Sequence, residues 1–153
     1  KAKELGEKGN LSGPHHSISS LIGQEKNNQT PATPNTLEIF MLGKVCEAMN
    51  KKSVEVLRSE TEEKAALLAD FIINSKNFDF AVKNEAHRSK TVIVATTLKA
   101  PKVINDYLSP FNMEIGGGYG NEKTTQVRIA NFPATSVEQM KNLIELLKDE
   151  DAY

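Results

Sequence analysis

Thr91-Val92-Ile93-Val94-Ala95-Thr96-Thr97 and Gln126-Val127-Arg128-Ile129-Ala130-Asn131-Phe132 are the two stretches on which the fold turns. Both are dense in β-branched side chains; the first reads as a central strand and the second, ended by Pro133, as another. Period-two alternation in the second sets Val127 and Ile129 on one face and Gln126, Arg128 and Ala130 on the other. Upstream, Phe78-Asp79-Phe80-Ala81-Val82 is a further short β segment. Between the two long strands, Pro101 opens a short helix over 101–109 that holds Val103, Ile104 and Leu108. Met113-Glu114-Ile115 then leads into Gly116-Gly117-Gly118-Tyr119-Gly120. Downstream, Ser136 followed three residues later by Gln139 is a capping box. It opens a closing helix that turns Met140, Leu143, Ile144, Leu146 and Leu147 inward and ends in an acidic tail.

Toward the N-terminus, Ser53 is placed to cap a helix whose Leu57, Thr61, Ala65, Leu68 and Ile72 follow the spacing of a one-sided amphipathic element. Glu60 and Lys64 read as an i, i+4 ion pair on its solvated face. Before it, Thr33-Pro34-Asn35-Thr36 signals the start of a helix over 35–50. Leu37, Phe40, Met41, Val45 and Ala48 lie on one side of that helix, and Ile39, Leu42, Cys46 and Met49 on others. So apolar a helix is expected to be buried nearly all round, which predicts a second surface packed against it that this chain does not itself supply. Residues 1–33, rich in Gly, Ser, Asn, Gln and Pro, read as an arm, and 34–153 as the domain. The order arm, α, α, β, β, α, β, β, α predicts an α+β sandwich: a small, mostly antiparallel sheet covered by helices.

A chain of 153 residues buries roughly 68–70% of its unfolded surface, enough for one core plus an arm. Nineteen Lys and Arg against twenty Asp and Glu give a formal charge of -1, so no positive excess is available for a nucleic-acid backbone. No apolar run reaches the ~20 residues that span a bilayer, and a cytoplasmic protein is expected. Cys46 is the single cysteine, which removes disulfides and thiolate metal sites. His15 and His16 are adjacent and diverge in direction, while His87 sits among Lys83, Arg88 and Lys90. None has the partner spacing of a metal site. Gly116–Gly120 neither opens a helix as G-x-G-x-x-G does nor ends in Lys-Ser/Thr, so a turn between strands is the plainer reading. Arg128 is either an ordinary solvent-facing arginine or a carboxylate fork, and nothing local decides between the two.

Two stretches together resemble the class V aminotransferases of the pyridoxal-phosphate fold-type I superfamily, and most closely the phosphoserine aminotransferases. The first is Asn28-Gln29-Thr30-Pro31-Ala32-Thr33-Pro34-Asn35-Thr36 with the helix after it. The second is Gly117-Gly118-Tyr119-Gly120, then Val127 to Pro133 and the closing helix. The resemblance covers nearly the whole chain but only the C-terminal third or so of such an enzyme. It implies that 34–153 is the small domain and 1–33 the end of the large-domain region. It also implies that Gln29 and Thr30 reach across a homodimer interface to the cofactor phosphate of the partner subunit. Arg128 then holds the α-carboxylate of the amino-acid substrate. The implied reaction moves an amino group between glutamate and 3-phosphohydroxypyruvate, in serine biosynthesis, with pyridoxal 5'-phosphate as cofactor.

Departures from the pattern accompany the likeness. Where such enzymes commonly carry a His-Arg pair for the substrate phosphate, seven and six residues before the arginine, this chain has Asn121 and Glu122, with Lys123 beside them. The lysine that carries the cofactor lies N-terminal to this region in the family, and Lys1, Lys3 and Lys8 show no matching context. The chain by itself is therefore expected to supply no catalytic residue and not to transaminate. Within the superfamily the rival is another class V enzyme, such as an alanine:glyoxylate aminotransferase. A desulfurase-like protein is disfavoured because Cys46 lies in the helix expected to be buried. Outside it, one rival is a non-catalytic dimerisation or binding domain with the second helix and the small sheet as its interface, and another is an amino-acid-sensing module, which gives no reason for Gln29-Thr30-Pro31 or Arg128.

Overall fold

Short polar side chains open the helices, because the first N–H groups of a helix have no partner within it. Ser17 accepts from Ser20 N at 3.1 Å and starts α1 (Ile18–Glu25). Asn35 Oδ1 accepts from Glu38 N at 3.2 Å and starts α2 (Thr36–Lys52). Ser53 accepts from Val56 N at 3.3 Å and starts α3 (Val54–Asn74). The computed structural model describes residues 17–153. The chain divides into two units, Lys1–Ala48 and Met49–Tyr153, and the boundary expected at 33/34 falls within the first. His15, His16, Lys1, Lys3 and Lys8 lie outside the described residues.

In the first unit, the stretch read as an arm forms α1, none of whose residues is buried. α2 starts one residue from where the sequence placed it, but its burial is not as expected. Leu37, Ile39, Phe40, Met41 and Leu42 are between 57% and 66% exposed, and no residue of the helix is buried. Cys46 is exposed with them. The apolar girdle read from the sequence is there, and none of its residues is buried among the described residues.

The second unit adds β1 (Phe78–Phe80), β2 (Val92–Thr97), α4 (Pro101–Leu108), β3 (Gly116–Gly117), β4 (Gln126–Ala130) and α5 (Val137–Lys148). The four strands form one sheet in the order β1-β2-β4-β3. Every neighbouring pair is antiparallel. Ile93 faces Ile129 and Ala95 faces both Phe80 and Val127, so one face of the sheet is apolar and buried. Against it pack Leu68, Phe71 and Ile72 of α3 and Met140, Ile144 and Leu147 of α5, with Ile104 and Leu108 of α4 closing the core. Each such side chain contributes roughly 1.5–3 kcal/mol by leaving water. The alternate positions, Val94, Thr96, Gln126 and Arg128, stay partly exposed.

The capping box is complete: Gln139 N donates to Ser136 Oγ at 3.1 Å and Ser136 N to Gln139 Oε1 at 2.8 Å. The acidic tail is less free than expected. Glu150 Oε1 accepts from Ser75 Oγ and from Lys76 N at 3.1 Å, at the turn between α3 and β1. Burial acts to raise its pKa, but these donors outweigh it and hold the carboxyl below the usual range. Tyr153 turns back, its hydroxyl donating to Leu147 O at 2.8 Å. Burial, reinforced by Glu150, pushes that phenol up to about 12.

Lys64 overturns the surface ion pair. It lies seven residues after Leu57 and four before Leu68, on the buried stripe of α3, and is 1% exposed. Its ammonium donates to Phe132 O at 2.9 Å and Thr135 O at 2.6 Å. Glu60 pairs instead with Lys52 at 2.6 Å. Burial lowers the Lys64 pKa. Beside it, Asn131 is fully buried, its Nδ2 forking to Thr61 O at 2.9 Å and Lys90 O at 2.8 Å. Two polar side chains thus fasten the end of β4 to α3 and to the loop before β2.

Candidate functional site

Arg128 sits in the middle of β4 between buried Val127 and Ile129, opposite Val94 of β2 and Gly116 of β3. The alternation places its side chain on the face away from the core, as the sequence requires. Its Nε donates to Gly117 O at 2.6 Å. The guanidinium carbon lies 4.0 Å from the centre of the Tyr119 ring, a cation–π stack. Among the described residues, Nη1 and Nη2 make no hydrogen bond and no acid forms an ion pair with Arg128. The result is a half-buried, permanently charged fork with one edge and one face occupied and the rest open, suited to a planar oxyanion.

The neighbouring backbone is shaped to hold it. Asn105 of α4 exchanges two hydrogen bonds with Ile115, donating to its O at 2.8 Å and accepting from its N at 2.9 Å. This pins the entry to β3 and with it the Gly117 carbonyl. Gly118 N donates to Gln126 O at 2.8 Å. A Cβ on Gly118 would lie 2.3 Å from Glu122 O, so only glycine fits. The glycine run is thus half edge strand and half turn, in keeping with the plainer reading.

Asn121 and Glu122 occupy an exposed 3₁₀ turn over Gly120–Glu122, and Glu122 Oε2 accepts from Thr125 Oγ1 at 2.8 Å. At the two positions where the resemblance implied a phosphate-binding pair stand an amide and a carboxylate, with Lys123 exposed next to them.

Gln29 and Thr30 lie in the loop between α1 and α2, in the first unit, and both are exposed. Gln29 N donates to Gln24 O at 3.0 Å, and Thr30 Oγ1 donates to Ala32 O at 2.7 Å. His87 is exposed in the 3₁₀ segment Glu85–His87. Among the described residues no group of three or more His, Cys, Asp or Glu could hold a metal, and no helix is long and apolar enough to cross a membrane. With Cys46 exposed, the burial that set it aside as a nucleophile does not hold. The sequence reading missed Tyr119 as a partner of Arg128. The two stand nine residues apart, and only the return of the chain through the 3₁₀ turn over Gly120–Glu122 into β4 brings them together.

A scan against family models and a search of curated proteins find no match. Among solved structures, the chain is similar to a phosphoserine aminotransferase from Cytophaga hutchinsonii, with 45% identity and a TM-score of 0.85. The match covers 97% of this chain and 41% of that one, so the chain spans well under half the length of its relative. With its fold and 45% of its residues held in common over 97% of its length, this chain is similar to the C-terminal portion of a phosphoserine aminotransferase.

Proposed function

We propose that Arg128 binds the α-carboxylate of the amino-acid and 2-oxo-acid substrates of a pyridoxal-phosphate-dependent, homodimeric, cytoplasmic transaminase of which this chain is part. The leading substrates are glutamate and 3-phosphohydroxypyruvate. The observation that carries the reading is the open fork: Nε is held by Gly117 O at 2.6 Å while the remaining donors stay free among the described residues. A carboxylate received there is fixed in orientation, and with it the bond from Cα to hydrogen, which transamination must break.

Pyridoxal phosphate, when bound, supplies the electron sink that makes this proton removable. Gln29 and Thr30 fit its phosphate in donor type. The Gln29 carboxamide carries two N–H donors. The Thr30 hydroxyl now donates to Ala32 O, so to serve a phosphate it must rotate its proton away.

A second reading, an unphosphorylated substrate as in alanine:glyoxylate aminotransferases, is favoured by Asn121 and Glu122, since a carboxylate repels a phosphate. Arg128→Lys in the full-length protein should raise KM for both substrates and lower kcat/KM by about 10- to 100-fold, the loss of a paired charged hydrogen bond. Unchanged kinetics defeats the carboxylate role. Comparing phosphoserine with alanine as amino donor separates the two substrate readings.

A further inference from the structure

An arginine that recognises a carboxylate pays for its flexibility, because a long side chain must be ordered before both parallel hydrogen bonds can form. At Arg128 three features of the polypeptide have already done this ordering. The Gly117 carbonyl takes Nε at 2.6 Å. The Tyr119 ring covers one face of the guanidinium at 4.0 Å. Gly116, paired directly opposite in the register, leaves room for the guanidinium edge: a Cβ there would lie 3.3 Å from Nη2 and 3.4 Å from the Arg128 carbonyl oxygen.

Tyr119 itself is 74% exposed, so hydrophobic burial does not account for its position. What holds it is the backbone: Gly118 can carry no side chain, and Glu122 N donates to Tyr119 O at 3.0 Å. A large aromatic side chain kept in water against a guanidinium that pairs with no acid among the described residues is set up to orient that group.

We infer that Tyr119 is a positioning residue. With the Gly117 carbonyl and the bare Cα of Gly116, it fixes the plane of the Arg128 guanidinium so that the Nη edge meets a substrate carboxylate as a preset fork. The inference rests on the carboxylate role proposed above for Arg128. The phenol hydroxyl has no part in it; the ring face does the work.

The test is a set of variants of the full-length protein. Tyr119→Phe keeps the ring and should leave KM for amino and oxo acids within about twofold of wild type. Tyr119→Leu removes the π face and should raise both KM values by about 3- to 5-fold with a smaller change in kcat, the size of an exposed cation–π contact. In an Arg128→Lys background the same Tyr119→Leu change should add nothing, whereas a merely structural role would add its full effect.

A second readout is independent of turnover. In NMR spectra of the chain, the Arg128 Nε–H proton should carry a ring-current shift that Tyr119→Leu abolishes and Tyr119→Phe retains. Gly116→Ala should displace the same signal. If Arg128→Lys raises KM while Tyr119→Leu changes neither KM nor the Nε–H shift, the positioning role is wrong and the carboxylate role survives. If Arg128→Lys itself changes nothing, the carboxylate role is what has failed. Loss of activity in Tyr119→Phe equal to that in Tyr119→Leu would assign the function to the hydroxyl and overturn the inference.

Discussion

Replacing Lys64 by Met separates an ammonium from the hydrocarbon that carries it. The side chain is 1% exposed, and its Nζ serves Phe132 O at 2.9 Å and Thr135 O at 2.6 Å. Two charged hydrogen bonds contribute about 3–6 kcal/mol together, against a desolvation cost of several kcal/mol for one buried ion. The two nearly offset, so the net effect is set by the stranded carbonyls. The expected loss for Lys64→Met is therefore about 1–2 kcal/mol, the cost of leaving buried acceptors unmet. Lys64→Ala adds a cavity and should cost about 3–5 kcal/mol.

The pH dependence gives the sharper test. Burial holds the Lys64 pKa below its ordinary value, so the folded chain binds this proton less tightly than the unfolded chain does. The penalty is fully present below the folded pKa and disappears as pH rises toward the ordinary lysine value of about 10.4. In urea unfolding, the stability gap between wild type and Lys64→Met should therefore widen as pH rises from the folded pKa toward about 10.4. A Met variant as stable as wild type at neutral pH, or a gap that narrows with rising pH, refutes this account.

Further tests address the rest of the unit. Asn131→Asp sets a buried carboxylate against the carbonyls of Thr61 and Lys90 and should cost about 3–5 kcal/mol in chemical denaturation, as an uncompensated buried charge does. Gly118→Ala forces a methyl group toward Glu122 O, 2.3 Å away; the turn must shift, and amide exchange across residues 118–125 should speed up relative to wild type. Because the Glu150 carboxyl is held below its ordinary range, its stabilisation is present above that range and lost as pH falls through the folded pKa. Glu150→Gln should flatten that part of the acid-unfolding curve, and an unchanged curve counts against a stabilising role for the bonds from Ser75 and Lys76. Ser136→Ala removes half of the capping box and should lower stability by about 1 kcal/mol.

The sheet was legible because alternation is a local property: Val127 and Ile129 against Gln126 and Arg128 fixed the face of every residue in β4. The Ser53 and Ser136 caps were legible for the same reason, each needing only its next few residues. Lys64 was misread because its partners, Phe132 and Thr135, are remote in sequence and offer backbone carbonyls, which leave no trace in side-chain chemistry. α2 is exposed despite its apolar girdle because the pattern reports what a helix is fit to contact, not whether that surface lies among the described residues. At the site, Arg128 could be named from its motif and its strand face. The role of Tyr119 depended on a turn whose path is set by Gly118 and Gly120.

The two outer strands of the sheet are three residues and two residues long, β1 at one rim and β3 at the other. A rim that short presents few unpaired backbone groups, and at β3 both residues are glycines, poor at holding an extended template. The apolar inner strands are thereby shielded from pairing with a second molecule, which would otherwise extend the sheet into an aggregate. Replacing Gly116 and Gly117 by valine would lengthen that rim and give the chain an edge on which fibrils could nucleate.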